Sequence, residues 1–328
     1  MDLNNEWDMF LSNPNPIYEK EVHKCGPTPT SSTLYISTKT VISFLNQQID
    51  LKKTFWDIQV TPYNSPMVGV IKKQMKFNSE TPEEVSLIEN EMSKCDYCYT
   101  MIIHHSDKLK YKDVRKVTVG VSKKDIISYR IKQKGAFYNC FVLIIRVKLE
   151  VFKEFHVKIF NTGKIEIPGI QNTEQIKNVI EVLISILRNY YPDITYNKKC
   201  EETVLINSNF NCGYFINRTQ LYQILKYKYN ISSVYDPCSY PGIQCKIYFN
   251  NGVMTTVEEV GVSFMIFRTG SILIVGKCST EVIHAIYEYL IAILFKEYEN
   301  VVDHNCVHSK KDNVQKKIKR YILIKETI

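Results

Sequence analysis

One sixteen-residue pattern occurs twice, and it constrains the fold more than any other feature of the chain. The segment IFNTGKIEIPGIQNTE at 159–174 returns as IFRTGSILIVGKCSTE at 266–281, at a constant offset of 107 and without a gap. Nine of the sixteen positions are identical, among them Phe160/Phe267, Gly163/Gly270, Gly169/Gly276 and Glu174/Glu281. An internal duplication of this kind predicts two lobes built on one plan. Each copy reads as a strand ending at the Phe, a turn at Gly163 or Gly270, a second strand with alternating isoleucines, and then a helix. Asn172 with Gln175, and Thr280 beside Glu281, supply the helix-start chemistry.

The two helices are strongly patterned. Ile176, Val179, Ile180, Leu183, Ile186 and Leu187 recur at helical spacing, as do Ile283, Ile286, Tyr287, Leu290, Ile293 and Leu294. Each helix therefore covers one face of its sheet. In the second copy, 262–267 and 272–275 are apolar at odd and even positions alike, so both faces of those strands are apolar. One face belongs to the helix. The other is either roofed by a further layer or left open as a binding surface.

Composition narrows the function classes. At 328 residues with 45% hydrophobic content, two lobes with their own cores are expected. The longest apolar run, Tyr289 to Phe295, is far below the ~18 residues that a bilayer demands, so no membrane partner is expected. The acidic start lacks a basic signal region. Ten scattered cysteines point to reduced thiols in a cytosolic or nuclear compartment. A net charge of +8 favours an anionic partner. No phosphate loop, dinucleotide fingerprint, zinc-protease motif or nucleophile elbow is present, so a binding protein without a cofactor is expected rather than an enzyme.

Taken together, the doubled IF-x-TG-x-I-x-I-x-G unit with its long helix resembles the TATA-box-binding protein family. The segment YDPCSYPGI at 235–243 is similar to that family's YEP…FPG stretch, and IDLKKTF at 49–55 to its LDLK helix opening. The resemblance covers about 34–77, 137–190 and 204–298. Divergence and Lys/Ile/Asn/Tyr-rich usage make it most like the TATA-binding-like proteins of large DNA viruses. It implies an α+β fold, a pseudo-twofold saddle of two curved antiparallel sheets backed by helices. The expected organisation is an N-terminal tail (1–32), a first repeat (33–195) with an insertion near 78–135, a second repeat (196–302) and a basic tail (303–328).

The resemblance further implies minor-groove binding to AT-rich promoter DNA, with apolar wedges that kink the duplex. By position, Phe160 and Phe267 match the second wedge of each repeat. Tyr240 matches the first wedge of the second repeat, and Phe137, Tyr138 or Cys140 is its counterpart in the first. Arg146 and Lys246 match phosphate-contacting arginines, Asn207 the asparagine at the dyad with Thr38 nearby, and Leu273 and Val275 groove-facing positions. For each aromatic the alternative is core packing. Two departures stand out. Pro168 and Val275 replace a donor-bearing threonine, and Glu166 puts a carboxylate where the groove floor would lie. The second lobe is thus expected to be the more DNA-competent.

Two functional readings follow. One is a viral initiation factor that binds and bends promoter DNA, acting as a monomer with an RNA polymerase or TFIIB-like factors in the host cytoplasm, virion or nucleus. The other is a scaffold that has lost DNA wedging and works through protein contacts. Within the insertion, Thr81-Pro82 starts a helix running to about Lys94. Cys95 and Cys98 form half of a zinc spacing, with His104, His105, His304, Cys306 and His308 as distant completions; free thiols are the competing reading. Trp7, Phe10 and Leu11 suit a short docking helix or a locally packed tail. The lysines of 309–320 suit phosphate contact or a solvated tail.

Overall fold

The computed structural model describes residues 29–107, 110–128, 137–250, 253–255, 260–304 and 322. The Trp7 segment, Cys306, His308 and the lysine-rich 309–320 lie outside them. Among the described residues, thirteen antiparallel strands form one open, curved sheet with helices against it.

Lobe 1 begins with β1 (Tyr35–Phe44), α1 (Leu51–Asp57) and β2 (Gly69–Ser79). Asp50 caps α1, accepting from the Lys53 amide. The other end of α1 is closed by a buried cation. Lys73 Nζ donates to the carbonyls of Phe55, Trp56 and Ile58 at 2.5, 3.1 and 2.7 Å, where the helix dipole favours positive charge. Then come α2 (Pro82–Ser93), β3 (Cys98–Ser106), β4 (Lys112–Gly120) and the short α3 (Lys123–Ile127), followed by β5 (Cys140–Lys148), β6 (Phe152–Phe160), β7 (Lys164–Ile170) and α4 (Thr173–Arg188). Asn172 accepts from the Gln175 amide, as expected.

Lobe 2 repeats the plan with β8 (Glu202–Asn211), α5 (Arg218–Gln223) running into a π turn (Ile224–Lys228), β9 (Ser232–Val234), β10 (Ile243–Asn250), β11 (Val253–Thr255), β12 (Val260–Ile266), β13 (Ser271–Gly276), α6 (Thr280–Lys296) and α7 (Tyr298–Val301). Asn217 caps α5. The cap of α6 is Ser279, one residue before the Thr280 expected from sequence.

Sheet order makes the duplication visible. Outward from the centre, lobe 1 runs β1-β7-β6-β5-β2 and lobe 2 runs β8-β13-β12-β10-β9. The same five-strand permutation meets itself at the antiparallel β1–β8 pair, which marks a pseudo-dyad. There the Asn207 side-chain amide donates to the Thr38 hydroxyl at 3.2 Å, joining the two residues the sequence had set at the dyad. Gly163 and Gly270 turn the two hairpins with φ of 81° and 77°. A Cβ on either would lie 2.3 Å from a backbone oxygen, so only glycine fits. Each lobe has its own core, centred on α4 in one and α6 in the other. The five fully packed aliphatics of α6 (Ile283, Ile286, Leu290, Ile293, Leu294) bring a gross ~10 kcal/mol of apolar burial before chain entropy is set against it.

The insertion near 78–135 is built into the sheet and is not a separate appendage. Its strands β4 and β3 extend the same sheet beyond β2. Buried Asp113 takes two bonds from Arg115, at 2.6 and 2.9 Å, and Arg115 reaches Glu89 of α2 at 2.8 Å, so the two buried charges of β4 pair with one another.

Candidate nucleic-acid interface

Strand parity divides the sheet into a helix-covered face and an open one. In lobe 2, Ile272, Ile274, Phe264 and Ile266 are buried under α6, while Ser271, Leu273, Val275, Ser263 and Met265 point the other way and are half-buried. No charge stands on this face of β12 or β13. Asn207 and Asn209 pair across the ladder with Val275 and Leu273, and exposed Gln244 and Lys246 continue the surface on β10. At the strand end, the Tyr240 and Phe267 rings lie 6.0 Å apart, tilted 58° to one another. Gly242 sits between them. A Cβ there would come within 3.1 Å of both rings, so its bare backbone is what lets the pair close. Arg218 donates to the Pro241 carbonyl and packs over Tyr235, bracing that turn from behind.

The matching surface of lobe 1 has different chemistry. At offset 107, Met265 and Leu273 correspond to Lys158 and Glu166, which form a cross-strand ion pair at 2.5 Å. The pair removes the isolated carboxylate but leaves a charged patch where lobe 2 is apolar. Cys140 stands opposite Phe160 where Gly242 stands beside Phe267, so lobe 1 carries a buried thiol, its pKa raised by that burial, in the place of the glycine. Counting back from that pairing makes Tyr138 the counterpart of Tyr240. Tyr138 and Phe137 are both about two-thirds exposed. Phe160 is half-buried, with Lys164 over its ring.

A protein of Acanthamoeba polyphaga mimivirus named "TATA-box-binding protein-like" is 26% identical to this chain over 203 residues, 54% of the chain and 53% of that protein. The chain resembles TATA-box-binding proteins. It spans about half the length of that relative. No protein-family model matches. Among solved structures, Methanococcus jannaschii TBP is similar at 15% identity and a TM-score of 0.42, over 81% of this chain and 99% of that one.

Several sequence-derived assignments change once burial and ladder register are in view. Arg146 does not reach a phosphate-facing position. It is 1% exposed, its guanidinium donating to the Ser65 and Tyr63 carbonyls at 2.6 and 2.8 Å and stacking on the Tyr63 ring. Nor is it the counterpart of Lys246. Lys246 lies opposite Ser263 as Ile144 lies opposite His156, so Ile144 holds the equivalent place and Arg146 matches Tyr248. Lys246 itself is exposed, its ammonium 4.8 Å from the Tyr248 ring. Phe137 yields to Tyr138 by register. Tyr240, Phe267, Asn207, Leu273 and Val275 share one open face with one another; Phe160 belongs to the other lobe. Among the described residues no group of three metal-ligating side chains converges. Cys95 and Cys98 pack half-buried against the lobe 1 core, with Cys98 pushed up to about 11 by burial. Sequence reasoning missed Asn209, Gln244, Ser263 and Met265, though counting by twos from Asn207, Lys246 and Phe267 reaches all four.

Proposed function

We propose that this chain is a TATA-binding-like transcription initiation factor that holds duplex promoter DNA by its minor groove on the open face of lobe 2 and bends it there. It works by binding, not by catalysis. The observation that carries the reading is the uncharged floor of β12 and β13, bounded by the Tyr240/Phe267 ring pair. An apolar surface with amide donors suits the acceptors of A·T pairs in the minor groove, and two rings on a rigid strand end suit insertion at a base step. Lys246 at the rim adds a phosphate contact. A viral setting, with an RNA polymerase or TFIIB-like factor as partner in the infected cytoplasm or the virion, fits the likeness to the mimivirus protein. The protein-contact reading applies to lobe 1, where a charged patch and a buried arginine replace those features.

The test is titration of AT-rich and random duplexes by fluorescence anisotropy, with end-labelled energy transfer reporting the bend, across a salt series. The reading expects salt-dependent binding and a shortened end-to-end distance, stronger on AT-rich duplex. Binding without bending, indifferent to sequence, contradicts it.

A further inference from the structure

Two connections that are short in lobe 2 are long in lobe 1. Residues 229–231 link the π turn to β9, whereas 58–68 link α1 to β2; residues 235–242 link β9 to β10, whereas 80–139 link β2 to β5. The second insertion has a topological debt. Strand β4 ends at Gly120 beside Lys72, near the start of β2, while β5 begins at Cys140, beyond the pairing of Met75 with Phe141. The chain must travel back along the strands, and it begins that return on the open side. The Val121 amide donates to the Ile71 carbonyl at 3.1 Å. The Ser122 amide and hydroxyl donate to the Asp125 carboxylate at 2.8 and 2.6 Å. The same carboxylate receives the Lys72 ammonium at 2.8 and 2.7 Å. The Lys123 amide donates to both oxygens of Glu154 at 3.1 Å.

Lys72 and Glu154 are open-face side chains, opposite Ile144 and Arg146 respectively. The burial record agrees. Lys72 and Ile144 are 4% and 3% exposed, whereas Lys246, the lobe 2 counterpart of Ile144, is exposed; Arg146 beside them is covered separately, by residues 63–65. A backbone lying there excludes a duplex from β2 and β5, since two bodies cannot fill one surface. The hold is also breakable. Among the described residues it consists of one ion pair whose carboxylate is 37% exposed, the Val121 and Lys123 amide bonds to Ile71 and Glu154, and the capping bonds of a five-residue helix that has no buried residue.

We propose that residues 121–128 are a built-in clasp that competes with duplex DNA for the outer open face of lobe 1. The free protein offers lobe 2 alone, and DNA reaches lobe 1 only when Asp125 releases Lys72. This rests on the DNA-binding reading above.

The experiment uses the full chain and compares the wild type, Asp125→Ala and Lys72→Met, each alone and combined with Phe160→Ala, by hydroxyl-radical footprinting and anisotropy on one AT-rich duplex. Lys72→Met opens the clasp while keeping the site apolar, so it stands in if Asp125→Ala fails to fold. The clasp predicts a short wild-type footprint that Phe160→Ala leaves unchanged. It predicts a longer footprint and affinity raised about 5- to 10-fold in either opened variant, lost again on adding Phe160→Ala, the scale of one base–aromatic stack. A wild-type footprint already spanning both lobes overturns the clasp, as does an opened variant identical to wild type. If the wild type and every variant leave the duplex unprotected and unbound, the DNA reading itself falls, an outcome separate from either of those.

Discussion

Lobe 1 and lobe 2 share strand order, hairpin glycines and a backing helix, yet their open faces are different materials. In lobe 2, Leu273, Val275 and Met265 make an uncharged floor, and Gly242 lets two rings meet. In lobe 1 the same places hold Glu166, Pro168, Lys158 and Cys140, and the chain crosses its own outer strands. A duplication preserves what the core demands, because α4 and α6 must each bury one apolar stripe. It leaves the outward-facing alternate residues to diverge, since no packing constraint speaks for them. The likeness of the halves is therefore a property of the covered face, and their difference is where function is expected to lie.

The largest expected effect separates the two phenylalanines. Phe267→Ala lowers duplex affinity by about 10-fold or more and flattens the bend, on the ~1–3 kcal/mol scale of one base–aromatic stack; Phe160→Ala changes both by less than about threefold. Equal losses in titration and energy transfer would erase the distinction between the lobes. Next, Gly242→Cys gives lobe 2 the residue of lobe 1 and forces a Cβ to within 3.1 Å of Tyr240 and Phe267. The bend angle is expected to fall while the melting temperature of the fold holds nearly level.

The two cations sharpen the comparison further. Arg146→Met strands the Tyr63 and Ser65 carbonyls and costs about 2–4 kcal/mol in denaturant unfolding. Lys246→Ala leaves unfolding unchanged and reduces the slope of log affinity against log salt by about one. A salt slope that responds to neither substitution removes Lys246 from the interface.

Alkaline pH gives the smallest effect. Burial lowers Lys73 in lobe 1 from 10.5 to about 8. A base lowered on folding contributes stability above its unfolded value that is lost as pH falls through the folded one, so lobe 1 gains between 8 and 10.5. Burial raises Cys212 and Cys245 in lobe 2 from 9.0 to about 11 and about 12. A raised acid contributes stability below its unfolded value that is lost as pH rises, so lobe 2 weakens above 9. Cys98, at about 11, offsets part of the lysine's gain in lobe 1. Amide exchange, corrected for intrinsic rates, is expected to quicken in β10, β12 and α6 relative to β2, β5 and α4 between pH 8 and 10.

Much of the plan was legible because repetition and periodicity are carried by the chain itself. The offset of 107, the cap at Asn172, and the greasy faces of α4 and α6 all reappear in place. Within the insertion the helix start at Thr81-Pro82 was legible and α2 runs from there to Ser93, but the strands were not, since β4 mixes Asp113, Arg115 and Lys116 into an apolar strand and pairing between buried charges leaves no alternation to read. Arg146 misled for a related reason: a lone arginine in an apolar strand looks outward-facing until the carbonyls of 63–65 come into view. The counterpart of Tyr240 stayed open among Phe137, Tyr138 and Cys140 because counting along the chain does not choose between them. The residue opposite Phe160 across the ladder was needed to select Tyr138.

The most direct test of the central claim, that one plan carries two unequal faces and only the second is open to DNA, is hydrogen exchange of the whole chain with and without an AT-rich duplex. The account predicts new protection in β8, β10, β12, β13 and residues 235–242, with β2, β5 and β6 unchanged. Equal protection along β5, β6 and β7 would contradict it.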